Sequence, residues 1–230
     1  MMTAEAYRLA AVKLALLANS VRTEFAIPVE YIDLGGGFAS STTLHGAYMP
    51  AEDTNPTIDE YAEAITQGLL ATLDRARGLP LLVLETGRYL IDEAGFLIGT
   101  VIANKRLSDG RKATILDVGV HLLFTSFWYK HAVVPAQPFG EFLEDTVLYG
   151  PLCMNIDVLR ESCSLPPLRQ GDRVVINNVG AYHMTQWMQF LNKRPAVTMV
   201  MEDGTLELIR RPETLDDLRR VEHIPDRLVP

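Results

Sequence analysis

The chain has 230 residues, 48% of them hydrophobic and 22% charged, an ordinary globular composition whose length suits one large domain or two small ones. Its formal net charge of −8, with lysines and arginines scattered, excludes the basic face that non-specific nucleic-acid binding requires. Two cysteines, Cys153 and Cys163, are too few for a disulfide framework and fit a reducing compartment.

From the N-terminus, the apolar run through Leu17 is interrupted by Glu5, Arg8 and Lys13 and shows no small-residue cleavage site. This argues against a signal peptide or membrane span, and a soluble cytoplasmic protein is expected. Residues 3–22 carry good helix formers and an Ala/Leu/Val face, predicting a helix. Residues 27–34 read as a short strand running into Gly35-Gly36-Gly37, and the polar, turn-rich stretch 40–56 as a loop. Thr57-Ile58-Asp59-Glu60 has capping-box form and predicts a helix to about Arg77, stopped by Gly78. Residues 79–84 are continuously apolar, as in a parallel strand buried on both faces. This is βα-repeat grammar.

Beyond Arg88 the pattern changes. Segments 95–105, 112–120, 173–178 and 196–201 are β-rich and separated by turn signals such as Ser108-Asp109-Gly110 and Glu202-Asp203-Gly204, predicting an antiparallel β-domain. The boundary is placed near residue 90, giving domains 1–90 and 91–230, with a short terminal helix between Pro212 and about Val221. The first domain supplies only two barrel-type strands. Two strands cannot close a barrel, so the remainder is expected upstream or from another chain.

Four motifs carry possible chemistry. Gly35-Gly36-Gly37 after a strand can bring N–H groups close to an anion, or can simply be a tight βα turn. Glu85-Thr86-Gly87-Arg88 ends a strand at the sheet edge where α/β barrels place their sites, or forms a structural ion pair. Gly150-Pro151-Leu152-Cys153 with Asp157 sets a thiol near a carboxylate, although a lone cysteine often serves as a small hydrophobe. Gly180-Ala181-Tyr182 presents a phenol on a turn, or packs it into a core.

In order and spacing these motifs resemble the fold-type III pyridoxal-phosphate (PLP) decarboxylases, the diaminopimelate, ornithine and arginine decarboxylase group. Residues 31–38 look like that family's glycine phosphate loop. Residues 85–89 resemble its Glu-Pro-Gly-Arg element, with Thr86 in place of proline, and 150–157 its Gly-Pro-x-Cys loop. Gly180-Ala181-Tyr182 matches its Gly-Ala-Tyr turn, and Arg210-Arg211-Pro212-Glu213-Thr214 its closing segment. The resemblance spans nearly the whole chain and corresponds to the C-terminal half of such enzymes. It implies a partial (β/α)8 barrel of alanine-racemase type followed by an antiparallel β-barrel or sandwich domain.

For the site, it implies that Gly35, Gly36, Gly37, Gly87 and Arg88 bind PLP, with Tyr182 bonding the phosphate and Glu85 facing the pyridine nitrogen. A carboxylate there keeps that nitrogen protonated, which favours decarboxylation. Cys153 would reach into the other subunit's site of a homodimer as proton donor, and Asp157 would line the substrate pocket.

Two departures stand out. The family's Schiff-base lysine is not found among Lys13, Lys105, Lys112, Lys130 and Lys193, so the isolated chain is expected to bind PLP weakly and to be inactive by itself. Lys130 follows Tyr129 where ornithine decarboxylases carry an acidic residue, and Met154 follows Cys153 where one is frequent. The substrate is therefore expected not to be a simple basic diamino acid; Lys130 would meet a carboxylate or a carrier-linked acyl group, or else is a solvated surface lysine. Three functional readings follow: part of a longer decarboxylase, one subunit of a split enzyme whose partner chain supplies the lysine, or a non-catalytic relative acting as a regulatory or binding partner.

Overall fold

The computed structural model describes residues 3–140, 142–225 and 227. The chain opens with α1 (Ala4–Glu24), capped by the Thr3 hydroxyl accepting from the Ala6 amide. Strand β1 (Tyr31–Asp33) leads through the glycine loop to a two-residue strand, β2 (Thr43–Leu44), and a single turn, α2 (Ala51–Thr54). Helix α3 (Ile58–Thr72) starts at the expected capping box: Thr57 caps the Glu60 amide, and the Glu60 carboxylate bonds back to the Thr57 amide. It ends five residues short of Arg77, and a 3-10 turn (Arg75–Arg77) covers the rest. Strand β3 (Leu81–Val83) pairs in parallel with β1, in register Ile32 to Leu82.

Helices α1 and α3 pack closely because their facing residues are small. A Cβ on Gly68 would sit 2.7 Å from the Arg8 carbonyl, against a face of Ala11, Ala15 and Ala18. Tyr7, Phe38 and Tyr61 close this core, with Tyr7 stacked on Phe38 at 4.6 Å between centroids and Tyr61 edge-on to both. The helices cover Ile32 but leave β3 open. Leu81 is 68% exposed, so the expectation of a strand buried on both faces is corrected: two strands and two helices do not supply the second covering layer.

After α4 (Gly87–Ile91) and a 3-10 turn (Asp92–Ala94), the chain becomes mostly sheet. The strands are β4 (Leu97–Arg106), β5 (Lys112–Leu116), β6 (Tyr129–Lys130), β7 (Val133–Pro135), β8 (Glu144–Tyr149), β9 (Val158–Leu165) and β10 (Arg173–Ile176). Six of them form one sheet in the order β7-β10-β4-β5-β8-β9. Arg160 of β9 donates to the His131 carbonyl just before β7 at 2.7 Å, bringing the two edges together, so the sheet nearly closes as a barrel. Its interior holds Val101, Leu116, Leu148, Leu165, Val174 and Ile176.

Not every pairing is antiparallel. Strands β5 and β8 run parallel, because the long stretch between them carries the chain back across the barrel instead of through a hairpin. A hairpin of β11 (Val197–Val200) and β12 (Leu206–Arg210) follows, and α5 (Leu215–Arg219) starts at a second capping box, Thr214 with Asp217.

The two parts are joined within the region expected to be a plain loop. Strand β2 pairs with β6, and the Asn178 amide donates to the Ser41 hydroxyl at 3.0 Å. Residues 40–47 therefore pack on the sheet part although they precede residue 90 in sequence.

Candidate functional site

The glycine loop leaves β1 where the parallel pair ends. The Gly35 amide donates to Asp33 Oδ1 at 2.8 Å, and Gly35 and Gly37 take φ of +70° and +91°, the left-handed region that glycine enters without strain. Gly36 is excluded from having a side chain for another reason: its Cβ would lie 2.5 Å from the Glu85 carbonyl oxygen. The Glu85 amide in turn donates to the Gly35 carbonyl at 2.9 Å. Loop and Glu85 are thus laced together at the carboxyl ends of β1 and β3. From α1, the Tyr7 hydroxyl donates to the Gly36 carbonyl at 2.6 Å, and its burial pushes the phenol up to about 12.

Three residues beyond Glu85, the Arg88 guanidinium lies over the Tyr129 ring at 4.2 Å and the Tyr182 ring at 5.0 Å. Its Nη1 donates to Asp92 Oδ1 at 3.3 Å, a pair spaced i,i+4. Asp92 is fully buried, and its Oδ2 accepts from the Ser40 and Thr42 hydroxyls at 2.5 and 2.8 Å.

Tyr182 reaches this cluster through Gly180. A Cβ there would overlap the Ile91 carbonyl, and the Gly180 amide donates to the Asp92 carbonyl at 2.9 Å. Tyr182 itself has a φ of +68°, which is rare for an aromatic residue, and its hydroxyl lies 3.3 Å from where a Gly87 Cβ would be. It is half exposed, so the core-tyrosine alternative does not hold.

Beneath Tyr182 lies a buried chain of side chains. The Thr125 hydroxyl is 2.8 Å from His183 Nε2 and 3.1 Å from His131 Nε2, and His131 Nδ1 faces the Asn177 carbonyl at 3.2 Å. That carbonyl requires a proton on His131 Nδ1, so Thr125 donates to His131 and accepts from His183. Burial pulls His131 down to about 4 and, with the repulsion of His131 and Arg88, His183 to about 3. Both rings are neutral at neutral pH.

The structure thus joins the glycine loop to Glu85 and, three residues further on, Gly87 and Arg88 to Tyr182. The remaining expected site residues are placed differently. Asp157 does not line a pocket: it is buried, and its two oxygens accept from the Val120 amide at 2.8 Å and the Leu152 amide at 2.7 Å. Any side chain on Gly119 or Gly150 would collide with that carboxylate, so Asp157 is the internal tie of the loop. The loop presents Cys153 to solvent, and among the described residues no hydrogen bond joins its thiol to the Arg88 cluster. Lys130 is not a free surface lysine either. It is half-buried and donates to the Ala47 carbonyl at 3.1 Å.

Motif reading missed Asp92 and Tyr129, which contact Arg88, and Ser40 and Thr42, which bond to Asp92. The i,i+4 spacing of Arg88 and Asp92 was the available signal for one of them. Of the lysines, Lys112 pairs with Glu144, Lys130 donates to the Ala47 carbonyl, and Lys13 is exposed on α1.

Residues 88–180 match the family described as pyridoxal-dependent decarboxylase, C-terminal sheet domain. A diaminopimelate decarboxylase from Methanothermobacter thermautotrophicus is 32% identical over 231 residues, covering 98% of this chain and 51% of that protein. An L-glutamyl-[BtrI acyl-carrier protein] decarboxylase from Niallia circulans is 27% identical, covering 88% of the chain and 48% of that protein. The crystal structure of Helicobacter pylori diaminopimelate decarboxylase complexed with L-lysine superposes with a TM-score of 0.78 at 28% identity, covering 96% of this chain and 51% of that one. The chain spans about half the length of the relatives it matches. The chain is similar in sequence and fold to the C-terminal half of these pyridoxal-dependent decarboxylases, and the match to their C-terminal sheet domain falls within residues 88–180.

Proposed function

We propose that this chain supplies the phosphate-binding and ring-tuning part of a PLP-dependent amino-acid decarboxylase site. The observation that carries the proposal is that Glu85, against which Gly36 has no room for a side chain, lies three residues before Arg88, whose guanidinium sits over the Tyr182 ring. The residues fit the cofactor's phosphate end, offering loop amides, a guanidinium and a phenol.

PLP, when bound, supplies the sink for the electron pair left as an α-carboxylate departs as CO2. This chain's part is to bind and to tune. Arg88 and Tyr182 would hold the phosphate dianion while the loop amides fix its position. Glu85, beside the loop, would keep a proton on the pyridine nitrogen. Cys153, exposed on its loop, would deliver a proton in the second subunit of a homodimer. The covalent lysine would come from the half of the relatives that lies outside the match, in the same polypeptide or in a separate chain.

Lys130 and Met154, where acidic residues were expected, are the reasons to expect something other than a basic diamino acid. The Lys130 ammonium is engaged by the Ala47 carbonyl, which weakens the first, and relatives named as diaminopimelate decarboxylases favour a diamino acid. We therefore place diaminopimelate first, and a glutamyl group on a carrier, named for the Niallia relative, second.

The test is CO2 release by this chain co-expressed with a polypeptide covering the unmatched half. Release from diaminopimelate, lost in R88A, is expected. No release from diaminopimelate, ornithine, lysine, glutamate or its carrier-linked form would overturn the proposal.

A further inference from the structure

Arg88 has one feature that phosphate binding alone does not explain: a fully buried carboxylate stands behind it. A buried charge survives only when paired and hydrogen-bonded, and Asp92 meets that condition with three donors, Arg88, Ser40 and Thr42. Two of these donors lie just after the glycine loop, and the third is the arginine expected to face the same anion. The Arg88 side chain is only 12% exposed and is flanked by the Tyr129 and Tyr182 rings.

A guanidinium has five N–H donors, and the contact with Asp92 uses one at its Nη1 end. The rings restrict the faces of the plane.

We infer that Asp92 is a positioning residue for Arg88, fixing the guanidinium to the segment that follows the glycine loop so that arginine and loop present a single preformed anion site. This rests on the proposed reading of Arg88 as a phosphate ligand. Asp92 touches no ligand itself; it acts through Arg88. A purely structural carboxylate would stabilise the fold without altering what Arg88 binds.

The experiment is a double-mutant cycle on the full chain with pyridoxine 5′-phosphate, which has the phosphate and ring but no aldehyde and so needs no lysine. D92N is nearly isosteric. Its amide oxygen still accepts from Ser40 and Thr42, but its NH2 meets Arg88 donor to donor. D92N is expected to weaken binding about tenfold, the scale of one charge-assisted hydrogen bond, and to cause no further loss in an R88A background. The Arg88 Nε–Hε NMR signal is expected to exchange faster with water in D92N than in the native chain.

An equal D92N loss in both backgrounds, or an unchanged Arg88 signal, would overturn the inference and leave the phosphate reading intact. Native-like binding by R88A would instead remove the phosphate reading, and the inference with it. Should D92N not fold, the S40A/T42A pair, which releases the other side of Asp92, enters the same cycle. An equal loss in both backgrounds again overturns the inference, and a loss confined to native Arg88 upholds it.

Discussion

Single contacts decide how the glycine loop behaves. Gly36 lacks room because the Glu85 carbonyl occupies the position of a Cβ, and backbone cannot swing aside as a flexible side chain would. G36A is expected to destabilise the chain by about 1–3 kcal/mol, read as a lower urea midpoint, and to abolish binding of pyridoxine 5′-phosphate. Tyr7 acts on the same loop from outside it. Y7F removes the donor to the Gly36 carbonyl and is expected to cost about 1 kcal/mol in the same assay. Asp157 is a stricter case. Changing it to Asn turns one of two amide-accepting oxygens into a donor facing an N–H, for an expected loss of about 1–3 kcal/mol. Cys153 should become more accessible to thiol reagents in D157N as its loop loosens.

At the scale of elements, the contact between the 180–182 turn and the 91–92 backbone places Tyr182 over Arg88, and the buried pair of histidines underlies that turn. Folding holds His131 and His183 neutral far below their ordinary range, so their folded values are depressed to about 4 and about 3. An unfolded chain protonates them below about pH 6.5. Below that pH the unfolded state binds more protons, so stability falls as pH drops from about 6.5 towards 4, and it is fully present above. The expected slope approaches about 1.4 kcal/mol per pH unit for each histidine. Urea midpoints at pH 7.5, 6.0 and 5.0 check this, and H183Q should flatten the dependence. A slope unchanged in H183Q would assign the acid sensitivity elsewhere.

For the molecule as a whole, the open sheet face is the dominant feature. Tyr31, Leu79 and Leu81 are all more than half exposed along β1 and β3, an apolar surface of the kind that soluble monomers seldom leave uncovered. In the proposed enzyme, the unmatched half would cover it. The chain alone is expected to bind a hydrophobic dye and to self-associate in light scattering, and L81K should reduce both. A monodisperse, dye-free monomer would contradict this assignment. Among the described residues no helix is long and apolar enough to cross a membrane.

Much of this was legible from residue order. Capping boxes, glycine turns and the switch from βα grammar to hairpins are local signals, since each depends on neighbours within a few positions. The four motifs likewise announced a shared chemistry before any fold was known. Other features depend on residues far apart in sequence. The parallel β5–β8 pairing, the ladder of β2 with β6, and the capture of Lys130 by Ala47 follow from how the chain folds back on itself. Asp157 shows the difference most plainly. Its place beside the cysteine suggested a pocket wall, but the amides of Val120 and Leu152 converge on it only once the barrel forms. By itself the sequence marked the glycines, Glu85, Arg88 and Tyr182 as candidates, with their roles toward an anion and a pyridine ring resting on the family resemblance. Only the tertiary structure decided which of them face outward, and that Asp157, like the unforeseen Asp92, is spent on hydrogen bonds inside the fold, because burial and hydrogen-bond partners are properties of the folded chain.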